Sequence, residues 1–153
     1  MSRLEKPYVL LVDDNEATCT LVTALLQREF VVEIGSDGME ALERLRTTNY
    51  AAVILDLRMP LLDGFGVLDF LRDQKSDLLR RTLILTAALS ESELARVRRY
   101  PICGVIPKPF EVETFLDAVK QCAGPDDERP LGMFFKNTGV ILLIADLLRQ
   151  KLM

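Results

Sequence analysis

Five short apolar runs, each followed by a segment of helical period, constrain this chain more than any other feature. They are Tyr8 to Val12, Phe30 to Ile34, Ala51 to Leu55, Thr82 to Thr86 and Cys103 to Ile106. Runs without polar alternation read as strands covered on both faces, which is the habit of parallel sheets. Strand and helix alternating five times predicts an α/β domain with helices on both faces of a five-stranded sheet. There is material enough for the core: nearly half of the 153 residues are apolar and about a quarter charged.

The intervening segments carry their own signals. After Val12, Asp14 or Asn15 suits an N-cap, and Thr18, Leu21, Val22, Leu25 and Leu26 form one apolar stripe. Gly35-Ser36-Asp37-Gly38 is turn chemistry before a second helix with Ala41, Leu42 and Leu45 inward. The loop Met59 to Gly64 leads to a helix carrying Val67, Leu68 and Leu71. Ser90 and Glu93 have capping-box spacing at the start of a fourth helix, whose stripe of Leu94 and Val97 is thin. Pro101 stops that helix. The fifth helix, Glu111 to Ala123, presents Val112, Phe115, Leu116 and Val119. Gly124-Pro125 ends the unit. The division is thus 1-124 for the domain and 125-153 for a polar linker and an apolar helical tail.

Several function classes drop out. The net charge is −4, so the chain has no general attraction for nucleic acid, and no DNA-reading module fits the length left over. With no histidine and no CxxC pair, zinc sites of the usual types and histidine-dependent triads are excluded. Cys19, Cys103 and Cys122 read as buried reduced thiols. Met1 to Pro7 lacks an apolar signal segment, and no run reaches the ~18 apolar residues of a membrane span. These points predict a cytoplasmic protein.

Three carboxylates stand at strand ends: Asp13 and Asp14 after the first run, Asp56 after the third. In a doubly wound sheet of order 2-1-3-4-5, the flavodoxin-like arrangement, the first and third strands flank the topological switch point. All three groups then share one crevice. Clustered carboxylates repel unless a cation compensates, and an all-oxygen donor set suits Mg²⁺. Thr86 and Lys108, at the ends of the fourth and fifth strands, offer a hydroxyl and an ammonium to an anion at the same edge.

Asp13-Asp14, Asp56 with Met59-Pro60 and Asp63-Gly64, Thr86-Ala87, and Lys108-Pro109-Phe110 together resemble the receiver domain of two-component response regulators, over roughly residues 7 to 123. The resemblance implies a phosphoprotein of phosphorelay signal transduction. Asp56 would accept a phosphoryl group, as an aspartyl phosphate, from a sensor histidine kinase or phosphotransfer protein. Asp13, Asp14, Asp56 and the backbone carbonyl of Arg58 would form the Mg²⁺ site, with Asp13 acting through water. Thr86, Ala87 and Lys108 would bind the phosphoryl group and respond to it, and the bond before Pro109 would be cis. Such a protein is a signalling module with autophosphorylation and dephosphorylation chemistry, not an enzyme in the ordinary sense.

The chain departs from the pattern at Val105, where receivers usually carry a switch aromatic three residues before the lysine, and at Pro107 and Tyr100-Pro101. Arg96, Arg98 and Arg99 make the fourth helix basic, a solvated face or a docking surface. In the tail, Val140 to Leu148 is apolar around most of a helix, which predicts burial, with homodimerisation slightly favoured over docking on the domain. Two rival readings remain at this stage. One is a pseudo-receiver serving only as an interaction or dimerisation module. The other is a Mg²⁺-dependent phosphohydrolase with Asp56 as nucleophile, which the occupancy of the second position beyond it by Arg58 disfavours.

Overall fold

The alternation of apolar runs and helices closes into one parallel sheet. The computed structural model describes residues 5–125. Its strands are β1 (Tyr8–Val12), β2 (Val31–Gly35), β3 (Ala52–Leu55), β4 (Thr82–Thr86) and β5 (Gly104–Pro107), in the order β2-β1-β3-β4-β5. Every pairing is parallel, and β1 lies between β2 and β3, which places the switch point between β1 and β3. The helices are α1 (Glu16–Leu26), α2 (Gly38–Thr47), α3 (Gly64–Gln74), α4 (Ser76–Leu79), α5 (Glu91–Val97) and α6 (Val112–Ala123). The four-residue α4, which the sequence pattern did not suggest, folds Leu78 and Leu79 inward before β4.

Successive strand side chains point to opposite faces, so each apolar run supplies two cores. Leu10, Val12, Val53, Leu55, Ile84 and Val105 pack with α2, α3, α4 and α5 on one face. Val9, Leu11, Ala52, Ile54, Leu83, Leu85 and Ile106 pack with α1 and α6 on the other. This double coverage is why the strands show no polar alternation.

Local chemistry sets the helix starts. Asn15, Asp37, Asp63 and Ser90 each accept a hydrogen bond from a backbone N–H within the first turn of their helix, and Ser90 and Glu93 close the capping box foreseen from their spacing. Two helices are rotated from the expected stripe. In α1 the buried residues are Cys19, Val22 and Leu26, whereas Leu21 is 46% exposed; in α6, Ala118 and Cys122 join Phe115 and Val119 while Val112 faces out. On the side of α1 next to Ile34 of β2 stand Cys19, Thr20, Thr23, Ala24 and Gln27, and Leu21 lies off that flank.

The cysteines also differ from expectation. Cys103 and Cys122 form a disulfide that ties the residue before β5 to the last turn of α6, with Cα atoms 5.8 Å apart, and Cys19 remains a buried free thiol. The two cysteines are 19 positions apart along the chain, so spacing could not reveal the pair; the fold brings the start of β5 and the end of α6 together. The pairing removes the thiol-based part of the argument for a cytoplasmic setting. No helix among the described residues is long and apolar enough to cross a membrane. The dimerising tail read from the sequence lies outside the described residues.

Candidate functional site

Register decides which strand ends meet. Val12 is level with Leu55, and the Asp56 N–H donates to the Val12 carbonyl at 2.9 Å, so Asp13 and Asp56 leave their strands side by side. Oxygens of Asp13, Asp14 and Asp56 lie within 4.8 Å of one another. Asp13 is 1% exposed and Asp56 7% exposed, while Asp14 faces solvent. The three carboxylates placed together by strand order alone are therefore one cluster.

Asp56 is held on both oxygens. Its Oδ1 accepts from the Thr86 hydroxyl at 2.8 Å and from the Arg58 N–H at 3.2 Å. Its Oδ2 faces the Lys108 ammonium at 3.5 Å, and that ammonium donates to Asp13 Oδ2 at 2.7 Å. Thr86 reaches Asp56 because β4 runs two residues beyond Ile84, the partner of Leu55. Lys108 is positioned by its own N–H, which donates to the Thr86 carbonyl. The Lys108–Pro109 bond is cis.

The electrostatics follow from burial and neighbours. Burial pushes the Asp13 carboxyl above the usual range, with the Lys108 and Asn15 N–H hydrogen bonds working against that rise. For Lys108, burial disfavours the charged form, but the Asp13 hydrogen bond and the charges of Asp56 and Asp13 together hold its pKa above the ordinary value. The Lys108 ammonium pairs with Asp13 and Asp56, so among the described residues the three clustered carboxylates outnumber the cation paired with them. An all-oxygen cluster of this kind fits a hard divalent cation such as Mg²⁺.

Two close approaches shape the loop after Asp56. A Cβ on Gly64 would stand 2.6 Å from the Asp56 carbonyl oxygen and 2.6 Å from the Leu57 Cα, so only glycine lets α3 start against the site. Leu61 adopts φ 67° and is 82% exposed, an unfavourable conformation for a branched side chain.

Comparison with known proteins agrees with this geometry. The sequence profile of the response regulator receiver domain matches residues 9–120. The chain belongs to that family. Response regulator MprA of Mycobacterium ulcerans is 38% identical over 109 residues, covering 71% of this chain and 46% of the relative. The chain thus spans about half the length of the curated relatives it matches. Among solved structures, the non-phosphorylated HemR receiver domain of Leptospira biflexa is 32% identical with a TM-score of 0.70, covering 82% of this chain and 98% of that one. The receiver domain of sensor histidine kinase PA1611 from Pseudomonas aeruginosa, with a magnesium ion in its active-site cleft, is 25% identical with a TM-score of 0.70, covering 79% of this chain and all of that one.

Within this receiver, Ala87 is exposed directly after Thr86, and Val105 is buried on β5 in the same core as Leu94 and Val97 of α5. Sequence reasoning missed the side chain of Arg58. Its Nη2 donates to the Ala88 carbonyl at 3.0 Å and to Glu93 Oε1 at 2.8 Å, linking the loop after β3 to the loop after β4. The only signal was a cation two residues beyond Asp56, which spacing alone could not pair across the 35 residues to Glu93.

Proposed function

We propose that this receiver is a phosphorylatable switch of a two-component system, with Asp56 as the acceptor of a phosphoryl group from a sensor histidine kinase or phosphotransfer protein. The observation that carries the reading is the convergence on Asp56 of Thr86, Lys108 and the Asp13–Asp14 pair. Asp13, Asp14, Asp56 and the Arg58 carbonyl are the groups that would hold Mg²⁺; the magnesium in the Pseudomonas aeruginosa receiver supports this assignment. When bound, the ion supplies neutralisation of phosphoryl charge and orientation of its oxygens.

In the transfer, a carboxylate oxygen of Asp56 forms the new O–P bond while the N–P bond of the donor breaks, its electron pair staying on the imidazole. Lys108 already faces Asp56 Oδ2 and offers its ammonium to a phosphoryl oxygen. Thr86 exchanges its bond to Asp56 Oδ1 for one to the phosphoryl group, which Ala87, lacking bulk, does not obstruct. The modification adds about two negative charges and three acceptor oxygens, enough to reposition the loops around it. Hydrolysis by water restores the carboxylate and ends the signal. In this reading residues 1–124 act through protein contacts, in the cytoplasm where the donor kinase domain resides, with residues 125–153 as linker and tail.

Incubation with acetyl phosphate and Mg²⁺, followed by intact mass, tests the proposal. The full chain gains one phosphoryl group and Asp56→Ala gains none. No gain in the unmodified sequence, or the same gain in Asp56→Ala, refutes the acceptor role. Rapid turnover of a simple phosphomonoester would favour a phosphohydrolase instead.

A further inference from the structure

Receivers usually relay phosphorylation through a mobile aromatic at the position of Val105, and this chain has no such group there. Val105 is 1% exposed, in the same core cluster as Leu94, Val97 and Phe65, a small branched side chain with little freedom to swing. A different connection runs from the acceptor loop to α5. The Arg58 backbone N–H donates to Asp56 Oδ1 at 3.2 Å, so the root of this side chain sits at the rim of the carboxylate. Its guanidinium reaches across to the Ala88 carbonyl and to Glu93 Oε1. Glu93 is also the N3 residue of α5, and the same Oε1 accepts the Ser90 N–H at 2.9 Å in the capping box.

We propose that Arg58 and Glu93 form a latch between the acceptor loop and the start of α5, which opens when Asp56 is phosphorylated. The inference rests on the acceptor role of Asp56 given above. Unphosphorylated, Arg58 pairs with Glu93 at 2.8 Å. A phosphoryl group on Asp56 places about two negative charges and three acceptor oxygens beside the root of Arg58, in geometry that a planar guanidinium matches well. Arg58 then exchanges Glu93 and Ala88 for the phosphoryl oxygens. The loop after β4 loses its tie, and α5 keeps its capping box but not its pin. Output through α5 is thereby coupled to the site by a charged side chain instead of an aromatic rotamer.

The substitution Glu93→Gln separates the two roles of that residue, because glutamine serves at N3 of a capping box yet cannot form the ion pair. Hydrogen exchange at the Ser90, Glu93 and Leu94 amides, measured on the full chain with intact mass taken in parallel, tests the latch. Phosphorylation of the unmodified sequence by acetyl phosphate with Mg²⁺ is expected to raise exchange there by roughly two- to fivefold, the range of an exposed ion pair. Glu93→Gln is expected to show the same rise without phosphodonor and no further rise when it is phosphorylated. A phosphoryl mass gain with unchanged exchange at these amides overturns the latch, as does a further rise of full size when Glu93→Gln is phosphorylated. Absence of any mass gain in the unmodified chain instead refutes the acceptor role, and the latch falls with it.

Discussion

Lys108→Met removes one charge from the centre of the site and keeps most of the apolar stem. The ammonium sits 2.7 Å from Asp13 Oδ2 and 3.5 Å from Asp56 Oδ2, and its side chain is 22% exposed. At an effective dielectric constant of ~20, one such pair at ~4 Å between charge centres is worth about 4 kcal/mol before desolvation. Burial of the ammonium offsets part of that, so the expected loss at neutral pH without divalent cation is about 2–3 kcal/mol. In urea this lowers the unfolding midpoint by about 1–2 M. The loss depends on pH in a defined direction. Burial already raises the Asp13 pKa, and without Lys108 it rises further because a hydrogen bond and an opposite charge are gone. A carboxyl whose folded pKa lies above its unfolded value carries no penalty below about pH 4, and the penalty grows as pH rises through the folded value. The gap between the two proteins is therefore expected to be small near pH 4 and to open towards pH 7. Mg²⁺ at neutral pH narrows it by supplying compensating charge. Urea unfolding at both pH values, with chelator and with Mg²⁺, reads all three effects. A gap of equal size at pH 4 and pH 7 would refute the electrostatic account.

Three smaller perturbations probe the scaffold around the site. Gly64→Ala forces a Cβ to 2.6 Å from the Asp56 carbonyl oxygen and is expected to cost more than about 2 kcal/mol and displace Asp56; Gly66→Ala meets only the Leu62 side chain, which can move, and should cost less than half as much in the same denaturant assay. Leu61→Asn relieves the left-handed conformation at φ 67° and is expected to stabilise by up to about 1 kcal/mol, read as a higher unfolding midpoint. The Tyr50 hydroxyl donates to Glu33 Oε1 at 2.6 Å, and burial followed by that hydrogen bond pushes its pKa up to about 12. Because the folded value is the higher one, its stabilisation is complete below about pH 10 and disappears as pH rises through about 12. Tyr50→Phe is expected to cost about 1 kcal/mol at neutral pH, and to lack the part of the alkaline stability loss that belongs to Tyr50 in unfolding measured between these limits.

The site was readable from sequence to the extent that it depends on strand ends. Asp13, Asp56, Thr86 and Lys108 each follow or close an apolar run, so a parallel sheet brings them to one edge whatever the details of packing. The cis bond before Pro109 came from family resemblance, not from periodicity. The buried stripe of α1 was misjudged because periodicity identifies an apolar face without saying how much of it the sheet can cover. Leu21 faces solvent, while Cys19, the smaller residue, turns inward and approaches the Asp13 carbonyl at 3.5 Å. The Cys103–Cys122 bond was missed because reduced and bonded cysteines are equally apolar in sequence.

Periodicity and strand-end chemistry are properties of contiguous residues, and they were enough to establish a five-stranded doubly wound domain and to single out its carboxylates, while the receiver reading came from the resemblance. Contacts between distant segments depend on register, helix rotation and rotamer, none of which a local pattern encodes. Tertiary structure alone therefore decided that Thr86 and the Arg58 N–H share one oxygen of Asp56 while Lys108 faces the other. It also decided that Cys103 meets Cys122, and that Arg58 reaches over the site to Glu93.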